Sequence, residues 1–141
     1  MPARTANARW EGTLQDGKGT MRLGGGAFEG QYSFSSRFEE GAGTNPEELI
    51  GAAHAGCFSM ALSGQLGNAG LTAESIRTTA AVTLDKTEAG FTITAVHLDV
   101  RARVPGASRE AFETAANNAK AGCPVSRVLN AQITMEATLE T

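Results

Sequence analysis

The chain predicts an α+β fold with mostly antiparallel strands. Three observations lead there. Segments at 76–85, 91–104 and 133–139 alternate apolar and polar residues with a period of two. Segments at 45–68 and 108–122 carry helix-capping residues and are rich in alanine. The elements then follow one another as strands, helix, strands, helix and strand.

The first third reads as strands and turns. Arg9–Leu14 has strand character, and Gln15-Asp16-Gly17-Lys18 is a turn in which Asp-Gly supplies the positive φ. Thr20–Leu23 returns antiparallel, and Gly24-Gly25-Gly26 forms a flexible loop. Gln31–Phe38 is expected as a strand, with Tyr32, Phe34 and Ser36 on one face and Ser35 and Arg37 on the other.

Asn45 can cap a helix that starts at Pro46, where Glu47 and Glu48 complement the positive end of the dipole. Apolar residues then occupy every side, which predicts burial all round. Gly51, Ala52, Ala55 and Gly56 allow close approach by another backbone, and Gly67-Asn68-Ala69-Gly70 ends the helix.

Two long strands follow. Ile76, Ala80, Val82 and Leu84 alternate with polar residues. After Thr87–Gly90, Phe91, Ile93 and Ala95 alternate until the phase shifts to Val96, Leu98, Val100, Ala102 and Val104. That shift predicts a bulge or a strand buried on both faces. Pro105-Gly106 closes the strand. Ser108 caps a second helix with Ala111, Phe112, Ala115, Ala116 and Ala119 on one stripe, and Gly122 stops it. A short helix begins at Pro124. The last strand sets Ile133, Met135, Ala137 and Leu139 against Thr134, Glu136 and Thr138.

Residues 1–141 are expected to form one domain, since this length supports a real core and no linker or repeat interrupts it. Twelve basic and fifteen acidic residues give a net charge of −3 with no basic patch, which argues against nucleic-acid binding. Leu49–Ala73 has no charged residue, but its polar side chains and five glycines suit a core helix better than a membrane span. Met1–Thr5 lacks the apolar region of a secretory signal. A soluble, cytoplasmic protein is expected.

Two cysteines dominate the remaining chemistry. In a reducing compartment such a pair is catalytic or regulatory rather than a permanent staple. Cys57 lies in an apolar run of helix formers, where a cysteine is either a small buried hydrophobe or a thiol activated by a nearby cation. His54, one turn earlier, is a candidate base or cation, or else a polar contact inside the core. Cys123 precedes Pro124 and is either a structural cap or a thiol whose pKa the helix N–H groups lower. Cys57, Cys123, His54 and His97 lack zinc-type spacing, so no metal is expected. Arg37 stands shortly before Glu47 and Glu48. An arginine held by a buried carboxylate could fix positive charge beside a thiol, and the competing reading is a solvated surface arginine.

The segments Thr44–Leu62 (TNPEELIGAAHAGCFSMAL) and Lys120–Ser126 (KAGCPVS) resemble the OsmC family, relatives of the organic hydroperoxide resistance proteins. Trp10-Glu11-Gly12, Gly17-Lys18-Gly19-Thr20 and Leu84-Asp85-Lys86 extend the resemblance over nearly the whole chain. The resemblance implies a cysteine-dependent peroxidase that prefers organic hydroperoxides. It makes Cys57 the peroxidatic cysteine, Cys123 its resolving partner, Arg37 the catalytic arginine and Glu47 the carboxylate that holds it. Glu48 is left as the capping-box partner of Asn45. In the sister branch the arginine comes from nearer the N-terminus, where Arg4 and Arg9 lie here.

The implied architecture is an intertwined homodimer, its sheets wrapped around two central helices. No cofactor is implied beyond an external dithiol reductant, for which lipoyl-type dithiols are the family-level expectation. The apolar surroundings, Phe58 and Met60 among them, would favour hydroperoxides with organic tails. Ten residues of straight helix would separate Glu47 from Cys57 by about 15 Å, so Arg37 must bridge them or the helix must bend. A general thiol–disulfide oxidoreductase and a redox-sensing module are the competing functions.

Overall fold

The N-terminal segment folds as a meander of three short strands, β1 (Ala6–Glu11), β2 (Lys18–Leu23) and β3 (Glu29–Tyr32), all antiparallel. The computed structural model describes residues 1–140, and by internal contacts it divides after Leu49 into two units. The expected domain, 1–141, ends on Thr141, which lies outside the described residues. In the first hairpin the positive φ falls at Gly12 (+95°) and not at Gly17. Thr13 builds that turn instead: its carbonyl accepts from Gly17 N–H at 2.8 Å and its hydroxyl from Asp16 N–H at 3.1 Å.

The expected strand through Phe38 ends early. Residues Phe34–Phe38 form a short helix, α1. Ser33 and Ser36 make a reciprocal capping box, Ser36 N–H donating to Ser33 Oγ at 3.1 Å and Ser33 N–H to Ser36 Oγ at 2.9 Å. The alternation of Tyr32, Phe34 and Ser36 is real but subordinate. Phe34 and Phe38 are also one helical turn apart, and their rings meet at a tilt of 46° with centroids 4.9 Å apart.

Helix α2 (Pro46–Asn68) begins where the cap residues predict. Asn45 Oδ1 accepts from Glu48 N–H at 2.7 Å. The Glu48 carboxylate does not complete a capping box, because it accepts from the Thr44 hydroxyl at 3.0 Å. Burial along α2 is one-sided. Gly51, His54, Phe58, Leu62 and Leu66 are buried at helical spacing, while Ala52, Ala53, Gly56, Met60, Ser63 and Gly64 are exposed.

In the second unit, β4 (Ser75–Thr87), β5 (Gly90–Arg103) and β6 (Gln132–Glu140) form a sheet in that order. Strands β4 and β5 are antiparallel, with a register shift that leaves Thr94 as the extra residue between Thr83↔Ala95 and Leu84↔Ile93. This is the bulge that the phase change predicts, and past it β5 alternates cleanly between buried and exposed. Strand β6 runs parallel to β5. Its return is made by α3 (Arg109–Gly122) and α4 (Pro124–Val128), a connection long enough for the crossover a parallel pair requires. Ser108 caps α3 by accepting from Ala111 N–H at 3.1 Å. The core of this unit joins Phe58, Leu62 and Leu66 of α2 to Val96, Leu98 and Val100 of β5 and to Phe112, Ala116 and Ala119 of α3. Cys123 is part of this core.

Candidate active site: a thiol pair and a clamped arginine

Cys123 is the last residue of the α3 turn and the first of the α4 turn, and that junction fixes its side chain. Its backbone N–H donates to Ala119 at 2.9 Å, and its carbonyl accepts from Arg127 at 3.1 Å. Pro124 occupies the first position of α4, where its missing N–H costs nothing. Cys57 comes from the middle of α2. The two sulfurs lie 2.9 Å apart, within hydrogen-bonding reach, and both thiols are free.

The two differ in access and in charge preference. Cys123 is fully buried, whereas Cys57 is half-buried and can meet a small molecule from outside. Burial pushes the Cys57 thiol up, and its hydrogen bond with Cys123 adds to this, against a smaller opposing pull from the Val125 N–H. Burial also opposes ionisation of Cys123. There it is outweighed by the hydrogen bond with Cys57, the N–H groups of Ser126 and Val125 and the Ser126 hydroxyl, so its pKa is lowered. Within the second unit, therefore, the surroundings push the two thiols in opposite directions, Cys57 up and Cys123 down.

In the first unit, the cation Arg37 is held rigidly by a carboxylate. Its Nε donates to Glu47 Oε1 and its Nη2 to Glu47 Oε2, each at 3.0 Å, a bidentate clamp. Glu47 is 7% exposed. The backbone behind the clamp is fixed as well. The Ser36 hydroxyl donates to the Thr44 carbonyl at 2.7 Å, and Asn45 Nδ2 donates to the Ser36 carbonyl at 3.0 Å. These bonds tie α1, which carries Arg37, to the start of α2, which carries Glu47. Gly43 makes the connection possible with φ +115°, where a Cβ would fall 2.6 Å from the Gln31 carbonyl oxygen. The guanidinium also lies over the Phe38 ring, 5.4 Å from its centroid.

Arg37 lines a cavity of about 220 Å³ together with Trp10, Leu14, Tyr32, Ser33, Phe34 and Phe38. An aromatic wall beside a guanidinium suits a molecule with a polar head and an apolar tail. This cavity was not expected from the sequence, because its aromatics come from three separate elements. The expected apolar contributor Phe58 is instead fully buried in the core, and Met60 is 79% exposed on the free face of α2.

The remaining candidates are placed elsewhere. His54 is fully buried, and its Nε2 meets Ser126 Oγ at 2.7 Å. This is the polar core contact, the second of its two expected roles. Burial lowers its pKa, which disfavours the charged form. His97 pairs with Thr134 Oγ1 at 2.6 Å. Arg9 forms an exposed ion pair with Glu11 at 3.1 Å. Among the described residues, no group of three or more His, Cys, Asp or Glu is arranged to hold a metal ion, and no helix is long and apolar enough to cross a membrane.

A fold of this kind, with two cysteines brought together from α2 and the α3–α4 junction, defines a class of thiol protein that comparison with known proteins places. The OsmC-like protein family model matches residues 39–138, and the chain belongs to that family. It is 53% identical to peroxiredoxin OsmC of Escherichia coli K12 over 138 residues, covering 97% of this chain and 96% of the relative. The peroxiredoxin OsmC of Shigella flexneri matches equally well. Among solved structures, an OsmC-like protein of unknown function from Vibrio cholerae superposes with a TM-score of 0.77 at 19% identity, covering 97% of this chain and 99% of that one. The organic hydroperoxide resistance protein OhrB of Bacillus subtilis gives 0.70 at 22%, covering 95% and 98%. These two show the fold.

Proposed function

We propose that this chain reduces organic hydroperoxides to alcohols, with Cys57 as the peroxidatic and Cys123 as the resolving cysteine. It is a cysteine-based peroxidase by its kinship with peroxiredoxin OsmC. The observation that carries the assignment of roles is the sulfur pair itself: 2.9 Å apart, one sulfur accessible and the other sealed in the core.

The Cys57 thiolate attacks the distal oxygen of the hydroperoxide. The O–O bond breaks, the alkoxide takes a proton and leaves as the alcohol, and sulfur is oxidised to a sulfenic acid. Cys123 then attacks that sulfur. The S–O bond breaks, hydroxide leaves as water with the proton given up by the Cys123 thiol, and a disulfide remains. An external dithiol, of lipoyl type by family expectation, reduces it by exchange. Arg37 lowers the Cys57 pKa and polarises the peroxide, and Glu47 holds the guanidinium in its bidentate geometry. The aromatic cavity beside Arg37 supports an organic tail as the preferred substituent.

The same reading takes residues 1–141 as one domain acting as an intertwined homodimer. The exposed face of α2 supports this, because Ala52, Ala53, Gly56 and Met60 are small or apolar residues left uncovered by the chain itself. It also places the protein in the cytoplasm, where a dithiol pool keeps the pair reduced.

The test is single-turnover reaction of reduced protein with cumene hydroperoxide and with hydrogen peroxide, counting thiols before and after. Loss of two thiols per chain, faster with the organic peroxide, is the expected result. No thiol loss with either peroxide would overturn the reading.

A further inference from the structure

His54 and Ser126 take no part in the chemistry above, yet they sit beside it in a regular arrangement. His54 and Cys57 are three residues apart on one face of α2, and Cys123 and Ser126 are three residues apart across the first turn of α4. The contacts between them run in antiparallel order, with Cys57 meeting Cys123 at 2.9 Å and His54 meeting Ser126 at 2.7 Å. Two side-chain bridges, one turn apart, thus join the helix of the reactive thiol to the helix of its partner.

The His54 bridge is sealed. The side chain is fully buried, and its Nδ1 has no hydrogen-bond partner. An orphaned buried N–H is rarer than an orphaned acceptor, so the proton belongs on Nε2. Neutral His54 then donates to Ser126 Oγ. With that lone pair engaged, the Ser126 hydroxyl proton is free to turn towards the Cys123 sulfur, whose negative charge it favours.

We propose that His54 and Ser126 are positioning residues for the resolving step: the Nε2–Oγ bridge pins the start of α4 to α2 and orients the Ser126 hydroxyl towards the Cys123 sulfur as it attacks. The inference rests on the two-cysteine reading. Cys123 attacks the Cys57 sulfenic acid, the S–O bond breaks, and the departing hydroxide leaves as water with the Cys123 proton. The oxidant is the hydroperoxide already consumed. Neither His54 nor Ser126 is oxidised or reduced. Their contribution is to hold the attacking sulfur within reach and to stabilise its charge until the disulfide closes.

The experiment resolves the two phases of a single turnover with cumene hydroperoxide: sulfenic acid formation, read by trapping with dimedone, and its decay to the disulfide. The variants are Ser126→Ala, Ser126→Thr, His54→Leu and His54→Gln, each checked for fold by circular dichroism. Ser126→Ala and His54→Leu should slow the decay roughly 10- to 100-fold, the scale of a misplaced reacting group, and lower the ratio of the second rate to the first. Ser126→Thr keeps the hydroxyl and His54→Gln keeps a donor at the Nε2 position, so both should restore much of the rate. Equal slowing of both phases in all four variants, or unchanged decay in Ser126→Ala, would overturn the proposal. If His54→Leu does not fold, the Ser126 pair decides alone. Wild-type protein that forms no disulfide at all would instead sink the two-cysteine reading on which this rests.

Discussion

The two units build their functional groups by opposite means. In the first, Arg37 and Glu47 are held by polar bonds: a bidentate ion pair, a capping box behind it and two side-chain bonds to the backbone at Thr44 and Ser36. In the second, Cys57 and Cys123 are held by packing, with Cys123 embedded among Phe112, Ala119 and the β5 side chains of the core. The contrast fits the demands. A cation must be pre-oriented and kept from wandering, and fixed hydrogen bonds do that. Under the function proposed above, a resolving thiol must be near its partner and away from oxidant, and a dry core does that.

Substitutions can separate the two contributions. Cys57→Ser should have the largest effect, abolishing peroxide consumption altogether, as a turnover assay with a dithiol reductant would show. Cys123→Ser should react once and then stall or overoxidise, losing multiple turnover while keeping the first phase. Normal turnover in this variant would contradict the resolving role. Arg37→Met should slow the first phase about 10²- to 10³-fold, the usual loss when one charge-stabilising donor is removed, without preventing disulfide formation by an added thiol oxidant. Glu47→Gln should follow with a loss of about tenfold, because the guanidinium remains but its orientation is no longer charge-assisted. Stopped-flow measurement of the first phase checks both.

The smallest effect concerns pH and stability. Burial holds the His54 pKa below 6.5. The unfolded chain therefore takes up a proton near pH 6.5 that the folded chain refuses. The stability held at higher pH should decline as pH falls below 6.5. His54→Gln should flatten that slope in urea titrations at pH 5 and pH 7.5.

Much of this division was legible in the residues. Asn45, Pro46 and Ser108 announced their helices by cap chemistry, and the phase break before Val96 announced the bulge at Thr94. The cysteines were visible because little else in the chain carries chemistry. What stayed hidden was settled by competition or by tertiary structure. Residues 32–38 satisfy a strand period and a helix pair at once, and the Ser33–Ser36 capping box decided for the helix. Strand β6 has the same alternation whichever way it runs. Only the intervening α3 hinted at a parallel return. Composition made α2 look apolar all round, but a single chain covers one stripe of it and leaves Met60 outside. The partner of His54 lies 72 residues away in sequence, beyond the reach of any local pattern.

The claim that one sulfur receives the oxygen and the other closes the bond is tested most directly by locating the first oxidised atom. Reduced Cys123→Ser and Cys57→Ser proteins would each be given one equivalent of cumene hydroperoxide with dimedone present, and the adducts mapped by peptide mass spectrometry. An adduct on Cys57 in the first protein and none on Cys123 in the second is the predicted result. Equal labelling of Cys123 in the Cys57→Ser protein would contradict it, because a fully buried thiol would then be as open to peroxide as its half-exposed neighbour.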